Sequence, residues 1–304
     1  MTKKTEKKLF TAKEKDAETR LDVFLARSAG ISRSQAQKMI KAGAVEINGQ
    51  PETPHFAVRP GDRIELASPA ENKIKVIVPK IPVVHKDDDF IIIDKPSGII
   101  VHAPNAKYSG PTVVNFLLKK FPEIAGVGDP RRPGIVHRLD QDVSGIMVVA
   151  RNKKSYAHLR SAFQSRTVKK IYLGLAHGRL EQDAGEINFK IARSVRRARM
   201  AARPESQEGK EALTRYLALR RFPNFTLAEI EIMTGRTHQI RAHFFAIGHA
   251  LAGDALYRAK RPGKIKIPRL FLHSTYLGFY GMDKKWREYR SELPEELQSF
   301  LKTL

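Results

Sequence analysis

A chain of 304 residues, 41% of them apolar, is long enough for two domains with separate cores. Lys and Arg total 55 against 32 Asp and Glu, and the net charge of +23 selects a polyanionic partner: RNA, DNA or an anionic membrane face. No apolar run approaches the roughly 20 residues that span a bilayer. The basic start at residues 1–8 lacks the apolar core of a secretory signal. The absence of cysteine removes disulfides, thiolate metal sites and cysteine nucleophiles. A cytoplasmic protein without a membrane partner is expected.

Residues 1–18, rich in Lys and Glu, are expected to form a basic flexible tail. Within 19–67, Leu21, Phe24 and Leu25 share one helical face, and Ser32 is placed to cap a second helix ending at Ala42-Gly43. Val45 and Ile47, with the Asn48-Gly49 turn and the alternating Arg63-Ile64-Glu65-Leu66, then predict a hairpin. Arg33, Lys38 and Lys41 cluster on the second helix, where they are a solvated face or an RNA contact. Residues 68–82 change composition and are expected to be a linker, leaving 83–304 as the large domain.

That domain opens with Phe90-Ile91-Ile92-Ile93 and Ile99-Ile100-Val101-His102 around Asp94-Lys95-Pro96-Ser97-Gly98, which predicts a hairpin of two buried strands. Asp94 and Lys95 are read as turn chemistry. The stretch from Gly134 to Gly145 places His137, Arg138, Asp140 and Asp142 in a turn before the strand signal Ile146–Ala150, where a sheet edge presents polar groups to a substrate. Strand alternation in Lys169–Ala176 sets Tyr172 opposite Ile171, Leu173 and Leu175, and Gly174 leaves room beside its ring. Arg196, Arg197 and Arg199 belong to an arginine-rich stretch from 190 to 203, suited to phosphate forks and base stacking. In Thr234-Gly235-Arg236-Thr237-His238-Gln239-Ile240-Arg241, His238 and Arg241 lie on one helix face. Three histidines, His238, His243 and His249, lack the spacing of a metal helix motif, so no metal is expected. No Walker loop, dinucleotide fingerprint or carboxylate cluster is present.

Several of these strings recur together in known proteins. Arg-Leu-Asp-x-Phe-Leu, Ser-Arg-Ser-x-Ala-x-x-x-Ile and Gly-x-Val-x-Ile-Asn-Gly resemble the small RNA-binding domain named for the fourth small-subunit ribosomal protein. His-Arg-Leu-Asp-x-x-x-Ser-Gly, Lys-x-Tyr and Thr-Gly-Arg-x-His-Gln-Ile-Arg resemble the large-subunit rRNA pseudouridine synthases, with Val143 where Thr is usual. The resemblance implies an α+β catalytic domain on a mixed, largely antiparallel sheet. It implies isomerisation of uridine to pseudouridine in RNA, without metal or other cofactor. Asp140 would be the catalytic residue, paired with Arg241, which would hold it ionised. Tyr172 would stack on the uracil and remove the C5 proton, and Arg138 would fill the stack vacated by a flipped nucleotide. His137, Arg236 and His238 would shape the loop or contact RNA. Large-subunit rRNA or a pre-ribosomal particle is the expected target. A tRNA target, or an RNA-binding assembly role without turnover, is the alternative, and a monomer suffices.

Overall fold

The computed structural model describes residues 7–67, 77–105, 108–194, 199–258 and 265–304, which divide into two compact units, Met1–Lys75 and Val76–Leu304. The small unit runs β1 (Lys7–Thr11), β2 (Thr19–Arg20), α1 (Leu21–Ala29), α2 (Arg33–Lys41), β3 (Val45–Ile47), β4 (Gln50–Pro51), β5 (Ala57–Val58) and β6 (Arg63–Ala67). The 3.6-residue repeat turns Leu21, Phe24 and Leu25 to one side of α1, where they pack with Ala36 and Ile40 of α2 and with the strands. Ser32 and Gln35 cap α2 reciprocally, each side chain accepting the other's backbone N–H. Asn48 (φ 51°) and Gly49 (φ 82°) supply the two positive-φ positions that a tight hairpin turn needs.

The expected tail is in part a strand. Residues 7–11 form β1, which pairs antiparallel with β6 along five residues and turns Phe10 against the core. The strand was hidden because lysines flank its two apolar residues. Residues 1–6 lie outside the described residues.

The large unit is built from β7 (Val83–Lys86), β8 (Phe90–Lys95), α3 (Val113–Lys120), β9 (Ser144–Ala150), α4 (Lys153–Gln164), β10 (Lys169–His177), β11 (Ala184–Ile187), β12 (Lys190–Arg193), β13 (Met200–Arg203), β14 (Thr214–Arg221), β15 (Phe225–Ile232), α5 (Gln239–Ala246), β16 (Leu272–Tyr280), β17 (Trp286–Arg290) and α6 (Glu295–Leu301). Its main sheet has the order β11-β14-β15-β10-β16-β9-β8-β7, with β17 also paired to β16. Only β9 and β16 run parallel, so the sheet is mixed and largely antiparallel, as the resemblance implied. Every residue of β9 is buried, which explains its continuous apolar run.

Two expectations change here. β8 pairs with β7 and β9, while residues 99–102 form no strand; Ile100 makes a single bridge to Thr112. The expected linker also ends earlier. Residues 68–76 lie outside the described residues, but Ile81 is buried in the large core and Val78 packs against it.

Tyr172, Ser274 and Gly145 form one row across β10, β16 and β9. Gly145, at φ 120°, approaches β16 so closely that a Cβ would sit 2.2 Å from the Ser274 carbonyl oxygen, so only glycine fits. Past this contact β16 pairs with β17, so the parallel seam is short. The residues just before β9 therefore emerge beside Tyr172.

Candidate active site

Asp140 leads into β9, and its Oδ2 lies 3.5 Å from Arg241 Nη1 and 3.8 Å from His238 Nε2. Arg241, only 4% exposed, donates from Nε and Nη2 to both oxygens of Asp254 at 2.7 and 2.8 Å. Burial would raise the Asp254 pKa, but the Arg241 fork holds it below the usual carboxylate range. Asp254 also accepts the backbone N–H groups of Leu256 and Tyr257. The guanidinium is thereby fixed by Asp254, leaving Nη1 directed at Asp140.

The loop carrying Asp140 is held from below by the turn after β8. Lys95 is fully buried, and its Nζ donates to the carbonyl oxygens of Pro96 (2.9 Å), Ile99 (2.9 Å) and Gln141 (3.1 Å). Gly98 N–H donates to the Gln141 carbonyl, the Gln141 side chain returns a bond to the Gly98 carbonyl, and Ser97 Oγ donates to the Asp142 carbonyl. The Asp-Lys-Pro-x-Gly string is therefore a brace for the next-door loop as well as a turn. Burial pushes Lys95 down to about 7, against the pull of Asp140 and Asp142. Val143 is buried in the apolar core, so an apolar side chain suits this position where the family usually has Thr.

Tyr172 is 6% exposed and lines a small pocket of about 90 Å³ together with Arg138, Asp140, His238 and Arg241. Burial first, then the charge of Asp140, raises its pKa, so the group is a phenol at neutral pH. A larger cavity of about 960 Å³ shares Arg138, Tyr172 and Arg236 with that pocket. Arg138 is exposed at both. His137 turns inward instead: its Nε2 accepts the Val148 N–H at 3.0 Å and its ring stacks on Phe163. Burial pushes its pKa to about 3, so it is neutral and shapes the loop.

The space beside Gly174 is not free for a ligand. A Cβ there would meet Ile230 Cδ1 at 2.7 Å, with Leu251 and Leu272 close behind, so the glycine admits core side chains. His238 sits at the start of α5 with φ 54°, its Nδ1 3.3 Å from the Tyr257 hydroxyl. Arg236 donates to the Glu211 carbonyl. Gln239 joins Thr234 and Thr214 in a buried network, and His243 bonds Thr214 and the Phe189 carbonyl. The motif from Thr234 to His243 thus divides between framework and site.

Arg199 is not the free phosphate contact expected of it. Its guanidinium lies over Phe245 and Tyr257, and it donates to the Leu256 carbonyl at 2.6 Å. It joins the β12–β13 hairpin to the loop bearing Asp254. Arg196 and Arg197 lie outside the described residues. In the small unit Lys38 and Lys41 are exposed, while Arg33 spends Nε on Asp22 at 3.1 Å.

Residues 89–246 match the profile of the RNA pseudouridylate synthases, and residues 19–64 match the S4 domain. An uncharacterized RNA pseudouridine synthase of Aquifex aeolicus is 38% identical, over 93% of this chain and 92% of its own. The ribosomal large subunit pseudouridine synthase D of Nitrosomonas europaea is 37% identical, over 97% of this chain and 87% of its own. Among solved structures, human RNA pseudouridylate synthase domain containing 1 superposes with a TM-score of 0.57 at 25% identity, over 71% of this chain and 84% of that one. Fold and site define an RNA-modifying isomerase with an appended S4 domain. The chain belongs to the RNA pseudouridine synthase family.

Proposed function

We propose that the chain converts uridines of large-subunit rRNA to pseudouridine, with Asp140 as the reacting carboxylate. The observation that carries this is the placing of Asp140 between a fixed guanidinium, 3.5 Å away, and the buried Tyr172, in a pocket of about 90 Å³. The relatives named for the large ribosomal subunit favour rRNA over tRNA as target.

The reaction breaks the bond from N1 to C1′, turns the base, joins C5 to C1′ and releases the C5 proton to solvent, while N1 takes up a proton. Asp140 either adds to C1′ and is displaced when C5 attacks, or takes a proton from C2′ and returns it; both need a flipped nucleotide. Tyr172, a phenol in this setting, stacks on the uracil, and its raised pKa favours that role over removal of the C5 proton. Arg138, exposed beside the pocket, is free to fill the vacated stack. Arg33, Lys38 and Lys41 on α2 contact RNA phosphates. The protein acts as a cytoplasmic monomer, with no cofactor.

Tritium release from large-subunit rRNA labelled at uracil C5 is the test. The native chain should release tritium and Asp140→Asn should not. Release from tRNA alone would move the substrate, and no release from either RNA would support an assembly role without turnover.

A further inference from the structure

We infer that Lys170, with the guanidinium groups around it, forms a phosphate-binding site for the RNA strand beside the target uridine. The inference rests on reading the Asp140–Tyr172 pocket as the uridine site. Lys170 is only 8% exposed, yet its ammonium has no hydrogen-bond or ion-pair partner among the described residues. The Phe163 ring lies 5.6 Å from Nζ, and the Glu231 carboxylate acts on the ammonium from beyond ion-pair distance. An ammonium that is largely desolvated and has no protein acceptor takes its acceptors from what enters the cavity it lines, water or a ligand.

The surroundings identify that ligand by charge. Lys170 lines the cavity of about 960 Å³, along with Arg132, Arg138, Arg160, Arg166 and Arg236. Asp129 is the one carboxylate among the described lining residues, and Arg132 already pairs with it at 3.1 Å. Burial lowers the Lys170 pKa most, the Glu231 carboxylate opposes it and Arg166 adds to it; a bound anion would act in the same direction as Glu231. The cavity is too cationic and too polar for an apolar guest. It suits phosphodiester oxygens, for which Arg offers forks and Lys a point charge.

Position then ties the anion to the uridine. Lys170 and Tyr172 are alternate residues of β10 and both line this cavity, roughly 6.6 Å apart along the strand. A base stacked on Tyr172 brings its flanking phosphates within reach of Lys170. The Lys-x-Tyr spacing in the sequence thus pairs a base platform with a phosphate contact.

The test is filter binding of a large-subunit rRNA transcript over a range of salt concentrations, which needs no turnover. K170M should bind about three- to tenfold more weakly, with its salt slope reduced by about 0.7–0.9, the loss of one released counterion. K170R should keep the native slope. R160Q, which alters only an exposed cation of the same cavity, should lose a similar increment and guards against misfolding of K170M. K302Q, removing an exposed charge on the opposite end of the sequence, should match the native chain. A native slope in both K170M and R160Q overturns the site, whatever the melting temperature of K170M. K170R as weak as K170M also overturns it, because the position would then serve packing against Phe163. Slope loss in K170M without turnover by the native chain would support the phosphate site and remove the uridine reading.

Discussion

Asp22 in the small unit and Asp140 in the large unit both lie beside guanidinium groups, and they are treated in opposite ways. Asp22, fully buried at the start of α1, accepts from Arg20 Nε (3.1 Å) and Nη2 (2.8 Å), Arg33 Nε (3.1 Å) and Gln37 Nε2 (2.6 Å). Its lone pairs are filled, and it ties α1 to α2. Asp140 has Arg241 at 3.5 Å and His238 at 3.8 Å, neither a close hydrogen bond, because Asp254 takes the better donors of Arg241. A saturated carboxylate is framework. A carboxylate beside a cation that is anchored elsewhere keeps lone pairs unfilled.

Removing the free carboxylate should have the largest effect on chemistry and little on folding. Asp140→Asn is expected to lower the tritium-release rate more than about a thousandfold, roughly 4 kcal/mol of barrier, with the melting temperature nearly unchanged. A large fall in melting temperature would show that Asp140, like Asp22, holds the fold. Arg241→Lys keeps the charge but loses the fork to Asp254. It should weaken folding by about 2–3 kcal/mol, below the roughly 3–5 kcal/mol for breaking a buried pair outright, as urea melts would read. Turnover should fall with it, since Asp140 loses the anchored neighbour. Unchanged activity would make the contact between Arg241 and Asp140 incidental.

Lys95→Met tests the brace under the Asp140 loop. Losing the bond to the Gln141 carbonyl should lower turnover up to about a hundredfold by misplacing the loop. The variant also carries a pH signature. Because burial pushes Lys95 down to about 7 from its ordinary 10.5, the folded chain binds fewer protons than the unfolded chain between those values. Stability contributed through Lys95 therefore rises as pH climbs through that window, and the rise should be missing from Lys95→Met. Melting temperatures of both proteins at pH 7 and 10 would show it, and parallel curves would remove the charge argument.

The framework of both units was legible where periodicity and caps speak locally. Leu21, Phe24 and Leu25 mark α1, Ser32 caps α2, and the apolar run Ile146–Ala150 lies within the buried strand β9. β1 escaped because its partner β6 lies some 50 residues on, beyond any local pattern. In the site, Asp140, Tyr172, His238 and Arg241 were marked by their strings. Lys95 reads as turn chemistry and Lys170 as one position of a strand, neither with a role in the site. What they do depends on atoms far away in sequence: Lys95 meets Gln141, and Arg241 meets Asp254 only through the fold. A lysine among isoleucines and beside a proline was the available signal, since a buried cation requires acceptors. Arg199 failed in the other direction, because composition cannot tell an arginine stacked on Phe245 from one facing RNA.

The smallest expected effect on chemistry belongs to the other aspartate. Asp22→Asn leaves a buried amide among donors that had a charged acceptor, so the small unit should melt earlier, while the single-turnover rate at saturating RNA stays native. Binding should weaken, because Arg33 and Gln37 lose the group that orders the start of α2, and the exposed Lys38 and Lys41 ride on that helix. The acid response gives an independent readout. The hydrogen bonds from Arg20, then Gln37 and Arg33, hold the Asp22 carboxyl well below its ordinary 3.8. Its contribution is therefore complete above that value and is lost as pH falls below it. Acid titration followed by a probe in the small unit should show the native chain losing stability over that range and Asp22→Asn losing less. A slowed single-turnover rate in Asp22→Asn would break the comparison, because the saturated carboxylate would then be coupled to the chemistry from which its full set of partners withdraws it.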